Sequence, residues 1–322
     1  MKYLNERILL ELGIDWPAIL SVIKEATCLI DKNEFSQPIK PYLRFNDPAN
    51  RIIAMPAYAG GQFNSAGIKW IASFPGNKKR GLKRAHSVIV LNDTDTGMPV
   101  AMINTPLISG IRTAGVSGFV LKQYLEVNEV ASLTCGIIGF GPIGQLHLQM
   151  LEACFGDKIK QVFIYDLNPV HPEMLLPYRS KDKIVICDRW EDVYEQSDLF
   201  ITCTVSRERY VNVPPKKGGI YLNVSLRDFQ PLFLKDIDIH VVDSWDEICR
   251  ENTDIEKAHQ QFGLKREHVL EIPEILKADK LAACLQRSFM FNPMGMAIYD
   301  ISVAAYYYEL AINRNNFIAL ED

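Results

Sequence analysis

Residues 133–151, LTCGIIGFGPIGQLHLQML, leave this chain little choice of architecture. An apolar, β-branched run ends in Gly139, Gly141 and Gly144, spaced G-x-G-x-x-G, and helical periodicity begins at Pro142 and Ile143. Glycines alone mark ordinary turns; the strand before them and the helix after them make this spacing informative. The first glycine permits a tight turn, the second lets backbone approach a diphosphate, and the third lets helix meet strand. A proline suits the first helical turn, and the helix N-terminus favours an anion. The next strand, KQVFIYD, ends in Asp166, 22 residues after Gly144 (166 − 144), where a carboxylate can accept hydrogen bonds from both ribose hydroxyls. That carboxylate repels a 2′-phosphate, and LNPVH after it supplies no arginine. NAD is therefore expected in preference to NADP.

Strand and helix patterns continue to alternate after this loop: helix 142–155, a helix between Asp166 and Lys183, KIVICD, helix 190–197, LFITCTV, GGIYLNVS and IHVVD. Such alternation implies a parallel, doubly wound sheet. The first third reads differently. Residues 16–33 carry Ile19, Leu20, Ile23, Ala26, Cys28 and Ile30 at helical spacing. The short strands RIIAMPAY, GIKWIAS, SVIVLND and MPVAMIN follow, the last two forming a hairpin around DTDTG. A helix is expected from Thr113, with Arg112 at the junction before it, and another across 292–314. The expected fold is α/β, a Rossmann-type sheet at 119–290 plus an α+β substrate and dimerisation domain, 1–118 with 291–322, completed by the C-terminal helix.

Composition narrows the function classes. A net charge of −4 gives no support for a nucleic-acid or anionic-membrane surface. No apolar run reaches the roughly 18–20 residues of a membrane span, and charges interrupt the apolar N-terminal stretch, unlike a signal peptide. Seven cysteines are scattered between Cys28 and Cys284 without a C-x-x-C pair, and six histidines are equally dispersed. That usage fits a reducing cytoplasm and argues against a metal site.

A dehydrogenase must hold its substrate and move protons. Arg44, Lys69 and Arg112 are the cationic candidates of the first domain. Arginine is effectively always charged, and its planar fork matches a carboxylate, although an isolated arginine is more often an exposed loop residue. Lys69 sits between Ile68 and Trp70 in a strand. It either points to solvent or faces the substrate, where burial would lower its pKa into the range of a usable base. Asp228 follows the strand GGIYLNVS, at the carboxyl end where ligands bind such sheets; a turn-forming aspartate is the alternative. A further run of cations, Lys78, Lys79, Arg80, Lys83 and Arg84, with Lys40 upstream, is either a solvated loop or a surface for carboxylates.

Lys69 in G-I-K-W, Arg112 in I-R-T-A, the glycine loop, ITCTV, Asp228 and the closing G-M-A-I-Y-D resemble the ornithine cyclodeaminase and μ-crystallin family over nearly the whole chain. The resemblance implies an NAD-dependent oxidoreductase of imine-forming chemistry and a homodimer. By position, Arg44 and Arg112, with Arg84, would bind substrate carboxylate, and Lys69 and Asp228 would transfer protons. Thr202, Thr204, Asn292, Met294 and Gly295 would lie along the cofactor. Within the family, KPYLR, RIIAMP, NPMGMAI and Trp245, Cys249, Arg250 and Glu251 look most like the branch that oxidises N-(2-amino-2-carboxyethyl)-L-glutamate in 2,3-diaminopropionate (siderophore and antibiotic) biosynthesis. Cyclodeaminases carry a glutamate three residues before the strand proline to receive a distal ammonium; the matching residue is Ile53. An apolar group cannot pair a buried ammonium, whose isolation costs several kcal/mol. The expectation is therefore a substrate with several carboxylates rather than ornithine. A cyclodeaminase, ketimine reductase or alanine dehydrogenase activity remains an alternative, as does a non-catalytic NAD- or ligand-binding protein, although both proton-transfer groups are present.

Overall fold

The computed structural model describes residues 1–282 and 286–321, except for the side chain of Lys78. Cys284 and the Lys78 side chain therefore lie outside the described residues. In chain order the elements are β1 (Lys2–Asn5), α1 (Glu6–Leu12), α2 (Trp16–Asp31), β2 (Phe35–Ser36), β3 (Tyr42–Leu43), β4 (Arg51–Ala59), β5 (Ser65–Ser73), β6 (Ala85–Asn92), β7 (Pro99–Asn104) and α3 (Leu107–Val127). There follow β8 (Leu133–Ile138), α4 (Pro142–Phe155), β9 (Ile159–Tyr165), β10 (Ile184–Ile186), α5 (Trp190–Gln196), β11 (Leu199–Thr202), β12 (Ile220–Asn223) and α6 (Pro231–Lys235). The chain closes with β13 (Ile239–Val242), α7 (Trp245–Ile248), α8 (Asp254–Phe262), β14 (Val269–Glu271), β15 (Phe289–Asn292), α9 (Ala297–Asn313) and β16 (Ile318–Ala319). It divides into two compact units, Met1–Arg112 with Gly295–Asp322, and Thr113–Met294.

In the first unit, eight strands form one sheet in the order β16-β1-β7-β6-β5-β4-β2, with β3 paired on β4. The β4–β5–β6–β7 portion is an antiparallel meander with Met55 opposite Lys69 and Lys69 opposite Ile89. Alternation along these strands puts Met55, Ala57, Lys69, Ile89 and Leu91 on the buried face. One helix, α9, packs on β4, β5 and β6, and α2 packs on α9. In α2, Asp15 caps the N-terminus by accepting from Ala18 N (3.0 Å), and Ile19, Leu20 and Ile23 are buried. In α9, Ile298, Tyr299, Ile301, Val303 and Tyr307 are all buried, the pattern of an enclosed helix. The hairpin between β6 and β7 turns as its sequence implies. Asp93 Oδ1 accepts from Asp95 N, Thr96 N and Thr96 Oγ1, and Gly97 has φ +76°.

The second unit is an eight-stranded sheet in the order β10-β9-β8-β11-β12-β15-β13-β14. Every pair in it is parallel. Starting from β8 the chain moves outward through β9 and β10, then returns to place β11 on the other flank of β8. The loops after β8 and β11 therefore leave in opposite directions, and that divergence creates the ligand-binding crevice of such sheets. One side of the unit is filled by aromatic rings, Tyr194, Phe200, Tyr221, Phe229 and Phe233, with Tyr221 and Phe233 edge-on at 5.0 Å.

Three local expectations need correction. The helix expected at Thr113 begins six residues earlier, at Leu107, so Arg112 lies within it rather than at its start. Thr105 Oγ1 accepts from Leu107 N (3.1 Å), Pro106 precedes the first turn, and Ile108 and Ile111 are buried three apart. The start signal is thus the Thr-Pro pair, and the small residues that follow only continue the helix. Secondly, no α-helix joins β9 to β10; single 3₁₀ turns do, at Pro172–Leu175 and Lys181–Lys183. Pro169, Pro172 and Pro177 each remove a helix donor there. Finally, the two units divide at Arg112 and Met294 rather than at 118 and 290, because α3 runs through the boundary without a break.

Candidate functional site

The glycine loop of the second unit is built from requirements that differ glycine by glycine. Gly139 has φ +89°, and a Cβ there would lie 2.7 Å from Cys203 O, in the loop after β11. A Cβ on Gly144 would come 2.1 Å from Gly139 O. Both positions are closed by the protein's own backbone. A Cβ on Gly141 would meet nothing within 4 Å. That glycine has φ −73° and caps α4 without a side-chain hydrogen bond, ahead of Pro142. The first N–H groups of α4 therefore keep their donors for an outside acceptor. Ile143 O accepts from His147 Nδ1 (2.8 Å), and burial pushes the pKa of this histidine down to about 4. Asp166, half-buried after β9, accepts from Phe140 N (2.7 Å) through one oxygen and from Asn168 N (2.8 Å) through the other, which ties the acid to the loop.

Along the carboxyl ends of β11, β12 and β15 runs a buried polar network. Thr202 Oγ1 donates to Asn223 Oδ1 (3.3 Å) and accepts from Ser225 Oγ (2.8 Å). Asn223 Nδ2 donates to Asn292 Oδ1 (2.9 Å) and to Asp254 Oδ2 (3.0 Å). Asn292 Nδ2 is buried and has no partner among the described residues. Met294, half-buried, packs on the aromatic cluster. Asp228 is fully buried and accepts from Thr204 Oγ1 (2.7 Å), Ser225 Oγ (2.6 Å) and Tyr210 OH (3.2 Å). Burial outweighs these donors and pushes its pKa up to about 6, with nearby Asp254 adding to the rise. The turn that delivers Asp228 is strained, since Leu226 has φ +65°. Asp254 Oδ2 braces it by accepting from Asp228 N and Phe229 N, both at 3.2 Å, while its Oδ1 takes Arg209 Nε (2.6 Å).

In the first unit, Lys69 points from β5 into the protein and is 1% exposed. Its Nζ donates to Asp300 Oδ2 (2.7 Å) and Ser109 Oγ (3.3 Å). Arg112 Nε donates to the other oxygen of Asp300 (2.9 Å). The Arg112 fork lies over Gly295, which has φ +90°, so closely that a Cβ there would sit 2.6 Å from Nη1 and 2.7 Å from Nη2. Gly295 O in turn accepts from buried Lys40 Nζ (2.7 Å). Burial lowers the Lys69 pKa to about 7; Asp300 opposes that fall, while Arg112 and Lys40 add to it. A lysine at such a value exchanges protons at neutral pH.

The structure thus gathers Lys69, Arg112 and Gly295 into one cluster, and Asp228, Thr202, Thr204 and Asn292 into another. It does not bring Arg44 to the first cluster. Arg44 is exposed, donating to Pro48 O (3.1 Å) over the Tyr42 ring, and Lys40 is the cation of that segment that enters. In the basic run, Lys83 donates to both oxygens of Glu6 at 2.8 Å, Lys79 and Arg80 are exposed, and Arg84 is half-buried before β6. Ile53 lies on the Lys69 face of the sheet, opposite Ile71.

The profile of the ornithine cyclodeaminase/mu-crystallin family matches residues 5–315. This chain belongs to that family. It is 34% identical, over 98% of its length and 96% of the relative's, to N-((2S)-2-amino-2-carboxyethyl)-L-glutamate dehydrogenase of Staphylococcus aureus. The fold matches Thermococcus litoralis Δ1-pyrroline-2-carboxylate reductase in complex with NADH and L-proline, with a TM-score of 0.88, 24% identity and coverage of 99% and 100%. It also matches an archaeal alanine dehydrogenase dimer with bound NAD, with a TM-score of 0.84, 24% identity and coverage of 100% and 99%.

Tyr210, Asn223 and Asp254 are the participants that motif reading did not single out; Lys40 was read only as part of a cationic surface, and Asp300 only as the end of the closing G-M-A-I-Y-D motif, without a role. Asp300 did carry a signal: a carboxylate in the apolar helical run AIYDISVAA must be paired if that helix is enclosed.

Proposed function

We propose that this chain is an NAD-dependent dehydrogenase that cleaves N-(2-amino-2-carboxyethyl)-L-glutamate to 2,3-diaminopropionate and 2-oxoglutarate. The observation that carries the reading is the buried Lys69–Asp300–Arg112 cluster: a guanidinium fork for a carboxylate beside a lysine that can accept a proton at neutral pH. The cofactor fits the residues present. Gly141 and the uncapped start of α4 would hold its diphosphate, Asp166 its ribose, and Thr202, Thr204 and Asn292 would lie along it. NAD, when bound, supplies the hydride acceptor.

Arg112 would hold the carboxylate of the glutamyl carbon and so orient it, where an ångström of error is costly. The secondary amine must lose a proton before hydride can leave, since an ammonium has no lone pair to form the C=N bond. Lys69 would take that proton. Loss of hydride from the α-carbon leaves an imine. Asp228, with its raised pKa, would take a proton from the water that adds to the imine carbon. The nitrogen is then protonated, the C–N bond breaks, and 2-oxoglutarate separates from 2,3-diaminopropionate.

Ile53, on the Lys69 face, supports a substrate without a distal ammonium, as does the 34% identity to the S. aureus enzyme. The same apolar residue also suits alanine, so alanine dehydrogenase activity is the second reading. A homodimer is proposed too. Ile68, Trp70, Val88 and Val90, on the opposite face of the sheet from Lys69, form a half-buried to exposed apolar strip of the kind that a second copy would cover. The deciding assay presents purified protein with NAD or NADP and, separately, the conjugate, L-ornithine and L-alanine, following NADH absorbance. Turnover of the conjugate with NAD is expected; turnover of ornithine or alanine alone would overturn the substrate assignment.

A further inference from the structure

Asp300 lies in the first turn of α9 and is fully buried. Each of its oxygens serves a different cation from a different element: Oδ2 takes Lys69 Nζ from β5 at 2.7 Å, and Oδ1 takes Arg112 Nε from α3 at 2.9 Å. A lysine ammonium on a flexible four-carbon stem has no fixed position of its own; a single acceptor at hydrogen-bond distance gives it one. Arginine differs, because its fork is planar. Binding Nε to Asp300 sets the plane, and Gly295, at φ +90°, brings its backbone directly against Nη1 and Nη2.

We propose that Asp300 is the positioning residue of this amino-acid site, fixing the Lys69 amine and the Nη edge of Arg112 relative to one another. A carboxylate on that edge then brings the adjacent amine to Lys69. The inference rests on the reading of Arg112 as the carboxylate anchor, and Asp300 itself touches no substrate. In this arrangement Asp300 is the carboxylate that favours protonated Lys69, against two cations, Arg112 and Lys40, that oppose its protonation. Without Asp300, Lys69 gives up its proton at lower pH.

The test uses the full-length protein in two variants. Asp300→Asn keeps the shape and removes the charge; the cluster can shed its surplus positive charge by deprotonating Lys69, so folding at pH 8 is expected. Asp300→Glu keeps the charge and displaces it by one methylene. Lys69 ionisation is read directly by NMR titration of [ε-13C]lysine-labelled protein, with the signal assigned by Lys69→Arg. In wild type the transition is expected near pH 7, and in D300N below it. The alkaline-rising limb of kcat/KM for amine oxidation should move with it, while the Kd for NAD stays unchanged. In D300E the transition should remain near 7 and kcat/KM fall by at least about 10-fold, because geometry alone has changed. An unmoved Lys69 transition in D300N, or wild-type kcat/KM in D300E, overturns the proposal. Should D300N fail to fold, D300E decides. Should wild type oxidise none of the amino acids offered, the proposed function fails, and the NMR titration still tests the hold of Asp300 on Lys69.

Discussion

Replacing Gly141 and Gly144 separately by alanine should produce opposite phenotypes. At Gly141 the backbone has φ −73°, which alanine adopts freely, and its new methyl would meet no protein atom within 4 Å. Stability should change by no more than about 1 kcal/mol, because the freedom lost by the unfolded chain is offset by the poor fit of alanine at the N-cap of α4. The same methyl would occupy the approach of backbone to a diphosphate, so the Kd for NAD should rise by at least about 10-fold, roughly 1.4 kcal/mol. At Gly144 the methyl would come 2.1 Å from Gly139 O, a backbone atom that cannot swing aside. Overpacking of this kind costs roughly 1–3 kcal/mol or more, so Tm should fall by at least several degrees, at roughly 2–4 °C per kcal/mol for a chain of this order. Thermal unfolding of each variant without ligand, followed by calorimetric titration with NAD, separates the two effects. A G141A protein that binds NAD like wild type would refute the role given to the second glycine. A G144A protein with an unchanged Tm would refute the packing argument for the third.

Arg112→Ala should lower kcat/KM for the oxidised amino acid by about 30-fold or more, some 2 kcal/mol, with the Kd for NAD unaffected; stopped-flow kinetics and calorimetry check this. The pH profile of kcat/KM for amine oxidation should rise through about 6–7. Asp228 is raised to about 6 and Lys69 lowered to about 7, so both become proton acceptors above these values, and the reductive direction should show the opposite slope. Asp228→Asn should remove the lower of the two inflections, and an unaltered profile would exclude Asp228 as a proton-transfer group. Asp166→Ala should narrow the preference for NAD over NADP, read as the ratio of kcat/KM values, because the carboxylate that repels a 2′-phosphate is gone. Ile53→Glu should weaken the conjugate at least about 10-fold by placing a carboxylate on the Lys69 face, and equal activity would remove Ile53 from the specificity argument.

What could be seen in the linear sequence follows the range of the forces involved. The glycine loop was legible because strand, turn and helix start are local, and its chemistry is set by residues within a few positions of one another. Arg112 was recognisable as unusual but misplaced in its helix, since the Thr105–Pro106 start signal is weaker in pattern than the small residues after Arg112. The Lys69–Asp300–Arg112 cluster was not legible as a unit, because its members are separated by up to 231 residues and meet only when α9 packs on the sheet. Arg44 illustrates the converse. Position relative to a motif selects it, whereas burial selects Lys40, four residues earlier, whose amine is held at 2.7 Å by Gly295 O. Two rules follow from these cases. Local motifs locate the cofactor chemistry of such a chain. The groups that hold an amino acid are better sought as charged residues stranded in apolar elements, where the cost of an unpaired charge guarantees a partner elsewhere in the sequence.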